Sequence, residues 1–318
     1  MNKPFLLYNP ASGQQRKRRA DIMARVAEMF RSAGMNPELC ATTHAGSAVE
    51  QARAAAEGGF DTVIACGGDG TANEALNGIM SSSRRAALGV IPLGSGNLLA
   101  TDLRLPHNPV AAARALLTYQ PREIQPGLIT SQSSSGPGKR YFIVAAGVGS
   151  DAELMYRTAV ESKERWGRNA YFLEMARMTV QGSYPMFQVE WDDGNGERAV
   201  EQVSLVMAIR AQRFPGLLRL VKLGSSLPQP NYRLLLFRTD KVRHFLNYFA
   251  SLASGLNWKV PQVAVVESHW LRCTPLESVS ANIHAQADGE LLGRAPAELS
   301  IAQEAFPLLM PPQRPASI

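Results

Sequence analysis

The 318-residue chain has no apolar run approaching the roughly 20 residues that a membrane-spanning helix needs. Among its longest is "YFIVAAGVG" at 141–149, so no membrane-spanning helix is expected. It has three cysteines, Cys40, Cys66 and Cys273, odd in number and widely spaced, which excludes a disulfide scaffold and fits reduced thiols in the cytoplasm. Its five histidines are scattered, and no Cys/His group has zinc-ligand spacing. The pattern GxxxxGK[ST] is missing, so P-loop nucleotide binding is excluded. There are no internal repeats. The short apolar stretch in "MNKPFLLYNPASG" breaks at Asn9-Pro10 and reads as a first strand rather than a signal peptide.

What is present is an ordinary apolar fraction of 45% and a net charge of +6. The length suits two domains. Positive charge favours anionic partners such as lipid head groups or nucleotide phosphates. The basic residues are not interleaved with aromatics in one stripe, so nucleic acid is not among the expected partners. No oligomeric state is written in the sequence, and a homodimer is compatible with it.

The first third alternates strands and helices: "PFLLYNP", an apolar 3.6-residue period over 15–33, "NPELCAT", "GSAVEQARAAAEGG", "FDTVIACGG", "TANEALNGIM", "AALGVIPLGSGN" and "PVAAARALLTY". Such alternation predicts an α/β fold with a parallel sheet, whose ligands bind beyond the carboxyl ends of the strands. Near residue 121 the texture changes to strand-like pieces separated by turn residues, which predicts a β-rich sandwich interrupted by a long helix pair at roughly 151–182. The expected domains are 1–121, with 300–318 returning to it, and 122–299. "PPQRPASI" reads as a frayed tail.

Three segments share one grammar, a strand followed by an elbow of small residues: "YNPASG" (8–13), "GGDGT" (67–71) and "PLGSGN" (92–97). Glycine permits positive φ and close approach of a ligand to the main chain. Free amides and the dipole at a following helix N-terminus favour an anion. Together the elbows form a phosphate cradle. A lone carboxylate there, Asp69, would repel phosphate unless a divalent cation lies between them, or unless it accepts the proton of an incoming hydroxyl. The plainer alternative is that Asp69 caps the helix starting near Thr71.

In this order and spacing, "NPASG", "GGDGTANEALNG" and "PLGSGN" resemble the diacylglycerol kinase catalytic-domain family, which includes bacterial lipid kinases and sphingosine kinases. The C-terminal "QADGELLGRAPAELSI" (286–301) is similar to a further signature of that family, an Asp-Gly-Glu turn. The resemblance implies an ATP-dependent lipid kinase with Mg2+, whose N-terminal domain has the NAD kinase/phosphofructokinase-like fold. Its substrate would be a lipid with a free hydroxyl, diacylglycerol giving phosphatidic acid being the first expectation. Matched motif to motif, Asn9, Pro10, Ala11, Ser12, Gly13 and Thr42 would line the nucleotide. Gly67, Gly68, Asp69, Gly70, Thr71, Ala72, Asn73 and Glu74 would wrap the phosphates, with Gly94, Ser95 and Asn97 opposite, and Asp69 would meet the metal.

Asp288 and Glu290 would supply the base for the lipid hydroxyl, and Asp69 with them completes the expected catalytic set. The plainer reading of "ADGE" is a hairpin turn with a solvated glutamate. Two departures stand out. Many relatives carry a lysine and an acid where this chain has Gln14 and Leu98, a joint loss that leaves neither charge stranded. The stretch "SLPQPNY" (226–232) has no carboxylate, so a structural second metal site is expected to be absent.

A lipid acceptor requires peripheral docking, and "SKERWGRNAYFLEMARM" (162–178) and "RFPGLLRLVKL" (213–223) carry the cations and apolar residues to sit on an anionic membrane. The alternatives are a kinase for a sphingoid base or another hydroxyl substrate, and a nucleotide-binding protein that has lost turnover. NAD kinases share "GGDGT" but not "NPASG".

Overall fold

The structure, a computed structural model, describes residues 1–12, 18–133, 136–150, 184–192, 194, 197–213, 224–254, 259–277 and 282–312. The expected helix pair at 151–182 lies outside them, as does the membrane segment 162–178 and all but Arg213 of the segment 213–223. The chain divides into two compact units, Met1–Pro126 with Gln303–Ile318, and Gly127–Ala302.

The first unit runs β1 (Pro4–Tyr8), α1 (Arg19–Ser32), β2 (Glu38–Ala41), α2 (Ser47–Glu57), β3 (Thr62–Gly67), α3 (Asp69–Met80), β4 (Ala87–Pro92), α4 (Leu98–Asp102), α5 (Pro109–Leu116) and β5 (Gln120–Ile124). Every residue of β3 and β4 is buried, the two-faced burial expected of a parallel sheet covered by helices. Helix α1 turns Met23, Val26, Ala27 and Phe30 inward at 3.6-residue spacing. Helix α5 begins where Asn108 Oδ1 accepts the amides of Val110 and Ala111, each at 3.0 Å, with Pro109 in the first turn.

A strand from the end of the chain, Phe306–Met310, enters this sheet. It is the seventeenth strand among the described residues, β17, and the sheet order is β2-β1-β3-β4-β17-β5. It lies parallel to β4 and antiparallel to β5, with Leu308 opposite both Leu88 and Arg122. Strand β5 therefore belongs to the first sheet, and the first unit extends to Pro126. Its residues are mostly surface-facing and carry no strong strand signal; the pairing with β17 fixes them.

The second unit holds β6 (Gly127–Ser133), β7 (Gly136–Phe142), β8 (Ala145–Gly149), β9 (Phe187–Asp192), β10 (Arg198–Val203), β11 (Leu205–Ile209), β12 (Tyr232–Phe237), α6 (Val242–Ser254), β13 (Val263–Ser268), β14 (Trp270–Pro275), β15 (His284–Ala287) and β16 (Glu290–Ile301). Strand β9 alternates as the period of 2 demands, with Phe187, Val189 and Trp191 buried. All these strands join one 11-stranded sheet. Strand β16 is shared between its halves: residues 290–294 pair with β15, and 297–301 lie between β14 and β6. A single buried cluster draws on both halves, including Val189 and Leu271 from one and Val148, Leu234 and Ala285 from the other. Helix α6 was not expected from the sequence. Phe245 on it stacks on Phe237 at 4.1 Å between ring centroids and meets Tyr184 edge-on at 4.9 Å.

Candidate active site

Strands β1, β3 and β4 are neighbours and parallel, so the chain leaves all three at one edge of the first sheet. The elbows are cross-tied there by backbone bonds. The Asn9 amide donates to Cys66 O at 3.2 Å, and the amides of Leu93 and Gly94 donate to Gly67 O at 2.8 and 3.2 Å. Asn9 Oδ1 accepts the Ala11 amide at 2.8 Å, the side-chain turn that asparagine favours. Thr42 arrives at the same edge, its amide donating to Tyr8 O at 2.9 Å. Asn97, at φ 54°, clamps its elbow by accepting from Gly94 N at 3.0 Å and donating to Gly94 O at 2.8 Å.

The second and third elbows touch main chain to main chain. A Cβ added to Gly94 would stand 2.5 Å from Gly68 Cα, so position 94 admits only glycine without displacement of backbone. The first helical hydrogen bond of α3 is donated by Ala72 to Gly68 O. The amides of Asp69, Gly70 and Thr71 precede it and have no acceptor within the helix, and residues 68–70 are half-buried. Ser95 and Gly96 are exposed beside them.

Asp69 does cap a helix, but not the one near Thr71. It is the first residue of α3, and its carboxylate reaches the N-terminus of α4, accepting the amides of Leu98 and Leu99 at 3.0 Å each. Glu74 acts alike on another helix. Its buried carboxylate accepts the amides of Gly46 and Ala48 at 3.0 and 3.2 Å, at the start of α2. Two acids of α3 thus satisfy orphan donors and the positive dipole ends of two neighbouring helices. Asn73 is also fully buried, accepting from Asn77 Nδ2 through its carbonyl at 2.9 Å and its Oδ1 at 3.2 Å. Of the predicted phosphate-wrapping run, Gly67 to Thr71 lie at the sheet edge, while Ala72, Asn73 and Glu74 turn into the packing of α3. Gly13 and Gln14 lie outside the described residues.

In the second unit, Asp288 and Gly289 have φ 47° and 88° and join β15 to β16, with Ala287 paired to Glu290. Two positive φ values in a two-residue loop make this the hairpin turn for which Asp-Gly is the preferred sequence. The plainer reading holds for the backbone but not for the side chains. Asp288 is 8% exposed, and its carboxylate accepts the amides of Ile143, Val144 and Ala145 at 2.9, 2.8 and 2.9 Å. Glu290 is ion-paired with Arg140 at 2.7 Å. Asp288 is thus held by main-chain amides, and Glu290 by a guanidinium.

Two buried arginines escaped the sequence reading. Arg19 opens α1 on its apolar face, four residues before Met23, and Nη2 donates to Ser12 O, pinning the end of the first elbow. Burial pushes its pKa down, opposed by the nearby Cys66 thiol. Arg210 directly follows the apolar strand β11 and is 0% exposed. Burial lowers its pKa to about 10, against the opposing fields of Tyr232 and Asp288. Helical spacing marked the first, and a cation ending an apolar strand marked the second.

Among the described residues no group of three or more His, Cys, Asp or Glu could hold a metal by itself. Asp69 stands beside the first amides of α3, and each of its carboxylate oxygens accepts one main-chain amide of the roughly two donors it can accept. That donor set fits a cation sharing its shell with phosphate oxygens and water, which is how Mg2+ is commonly held.

Residues 3–129 match the family model of the diacylglycerol kinase catalytic domain. The chain is 28% identical over 315 residues to a diacylglycerol kinase of Bacillus subtilis (strain 168), covering 99% of this chain and 98% of that one. It is 27% identical over 293 residues to a diacylglycerol kinase of Staphylococcus carnosus (strain TM300), covering 92% and 90%. The fold is similar to a crystal structure of a diacylglycerol kinase from Bacillus anthracis str. Sterne, at a TM-score of 0.65 and 16% identity, over 100% of this chain and 98% of that one. A further structure from that organism reaches a TM-score of 0.72 at 19% identity. Over residues 3–129 this chain is therefore similar to the diacylglycerol kinase catalytic domain.

Proposed function

We propose that the protein is an ATP-dependent lipid kinase that transfers the γ-phosphate to the hydroxyl of diacylglycerol, giving phosphatidic acid. The observation that carries this is the meeting of three elbows and the N-terminus of α3 at one sheet edge, in a domain similar to that family's. Asn9 to Gly13 and Thr42 line the nucleotide. The amides of Asp69, Gly70 and Thr71, with Gly94, Ser95 and Asn97 opposite, hold the phosphates. Gly68 and Gly94 let the two backbones close on each other, and Gly67 leaves room for the Thr71 side chain. Ala72, Asn73 and Glu74 act indirectly, by seating α3 and the start of α2.

Phosphoryl transfer passes through a loose transition state, so positioning and electrostatic stabilisation do most of the work. Helix amides aimed at the phosphates stabilise the charge that develops on them. Asp69 would hold Mg2+, which when bound neutralises phosphate charge. Asp69 also fixes α4 against α3, so the elbow at 94–97 keeps its place. Asp288 is proposed as acceptor of the hydroxyl proton: three amides fix its carboxylate, and late proton transfer asks for a placed acceptor more than for a strong base. Glu290 and Arg140 shape the strand beside it.

An acceptor with acyl chains must be met at a bilayer. No helix among the described residues is long and apolar enough to cross a membrane. A net charge of +6 supports docking on an anionic surface, and the three free thiols support a cytoplasmic location. The triple change K163E/R165E/R168E tests the docking: it should abolish sedimentation with anionic liposomes, and unchanged sedimentation removes those residues from the surface.

The test of function is radiolabelled ATP with diacylglycerol, sphingosine, ceramide and phosphatidylglycerol in mixed micelles. Label in phosphatidic acid alone is expected. Label in another lipid would change the acceptor, and tight ATP binding with transfer to none would make the protein a binder without turnover.

A further inference from the structure

Arg210 has the largest wholly buried side chain among the described residues, a guanidinium inside the second unit. A buried cation costs more to desolvate than an apolar residue of the same volume, and removing its partners leaves the charge stranded. Its surroundings show what it holds. The Arg210 amide donates to Val144 O at 2.9 Å, and the Ala211 amide to the same oxygen at 3.2 Å. From the other side, Asp288 accepts the amides of Ile143, Val144 and Ala145, and the Asp288 amide donates to Ala145 O at 2.8 Å. Residues 143–145 are thus gripped between Arg210 and the Asp288 turn.

The guanidinium extends that grip to a third segment. Its Nη2 donates to Leu227 O at 2.8 Å and to Gln229 O at 3.1 Å. These carbonyls lie on the irregular stretch between β11 and β12, in the same 226–232 segment that has no carboxylate. That stretch is closed by Ser225 Oγ donating to Asn231 O at 2.7 Å and by the Gln229 amide donating to Ser226 O at 3.0 Å. A Cβ on Gly224 would stand 2.2 Å from Ala211 O, so the segment folds directly back over the arginine. Tyr232, also 0% exposed, puts a hydroxyl that has no hydrogen-bond partner among the described residues into the same buried region, within the field of the guanidinium.

We infer that Arg210 is a positioning residue for the Asp288 carboxylate: it locks segments 143–145 and 227–229 into one polar cluster, so that the acid at the hairpin turn keeps a single orientation. This rests on the reading above in which Asp288 serves the transfer. A misplacement of about 1 Å at a reacting group can cost about a hundredfold in rate, and the loss should fall on kcat because ATP is held by the other unit.

The experiment uses the full chain with R210M and R210K, and measures kcat and KM for ATP and diacylglycerol, nucleotide affinity, and the unfolding midpoint. R210M is expected to keep ATP affinity within about twofold and to lose on the order of a hundredfold in kcat per folded molecule, with R210K recovering about tenfold of it. An R210M protein whose kcat per folded molecule equals that of the wild type overturns the inference. Should R210M not fold, R210K assayed below its own midpoint decides: a kcat lowered severalfold supports the inference, and an unchanged kcat overturns it. D288N separates the two readings. A D288N protein at full rate sinks the role of Asp288 itself, whereas an inactive D288N beside a fully active R210M sinks only the role of Arg210.

Discussion

Replacing Glu74 tells a cap from a nucleotide contact. Its carboxylate accepts the Gly46 amide, which is exposed, and the Ala48 amide, which is on a residue 0% exposed. In E74A the Gly46 amide turns to water at little cost. The Ala48 amide loses its acceptor where water cannot replace it, costing about 1–3 kcal/mol. Loss of a negative charge at a helix N-terminus adds about 0.3–1 kcal/mol. The sum is about 1–4 kcal/mol, or a fall of about 3–15 °C in Tm at roughly 2–4 °C per kcal/mol. E74Q keeps one acceptor oxygen and should lose about half as much. The assay is urea unfolding followed by circular dichroism, beside the KM for ATP. Stability should drop in the order wild type, E74Q, E74A while KM for ATP stays within about twofold. An E74Q protein of wild-type stability with a tenfold higher KM would refute the capping role.

Three other outcomes follow from single distances. G94A puts a methyl 2.5 Å from Gly68 Cα; overpacking should cost about 1–3 kcal/mol, and isothermal titration should show weakened ATP binding, whereas wild-type affinity would deny the close approach. Burial pushes the Asp61 carboxyl up, but the amides of Asn2 and Lys3 and the Thr62 hydroxyl outweigh it, so its pKa lies below the ordinary 3.8. A depressed folded pKa means stability present above the unfolded value and lost as pH falls through the folded one. The wild type should therefore exceed D61N by a constant margin at neutral pH and converge with it in acid; a margin that survives below that folded pKa contradicts this. Cys66 and Cys273 are 0% exposed and burial pushes both thiols up, so a thiol reagent at pH 8 should titrate no more than Cys40 in the native protein and all three in denaturant. Rapid reaction of two native thiols would contradict the burial.

The elbows were legible because each is an apolar run ended by glycine or Asn-Pro, and such punctuation is local. So were Asn108-Pro109 at α5 and the Asp288-Gly289 turn. What the acids do was not legible, because their partners are distant in sequence: Leu99 is 30 residues from Asp69, and Gly46 is 28 from Glu74. Capping by Asp69 enters the sequence reading only as the plainer alternative to a metal or proton role, and there it falls on the helix near Thr71. The change of texture near residue 121 puts β5 with the second unit in the sequence reading, because its partner β17 comes from the far end of the chain. The five residues of α4 are too few to show a period. In the sequence Arg210 is a cation at the end of an apolar strand, and the fold shows it enclosed.

Asp69 carries the central claim, since it joins two elbows and stands beside the amides proposed for phosphate. The decisive measurement is the initial rate of ATP-dependent phosphatidic acid formation by D69N, compared with wild type per folded molecule. The side chain keeps one acceptor oxygen in that variant, so folding should survive while the rate falls by about a hundredfold or more. A folded D69N protein that phosphorylates diacylglycerol as fast as the wild type would contradict the account.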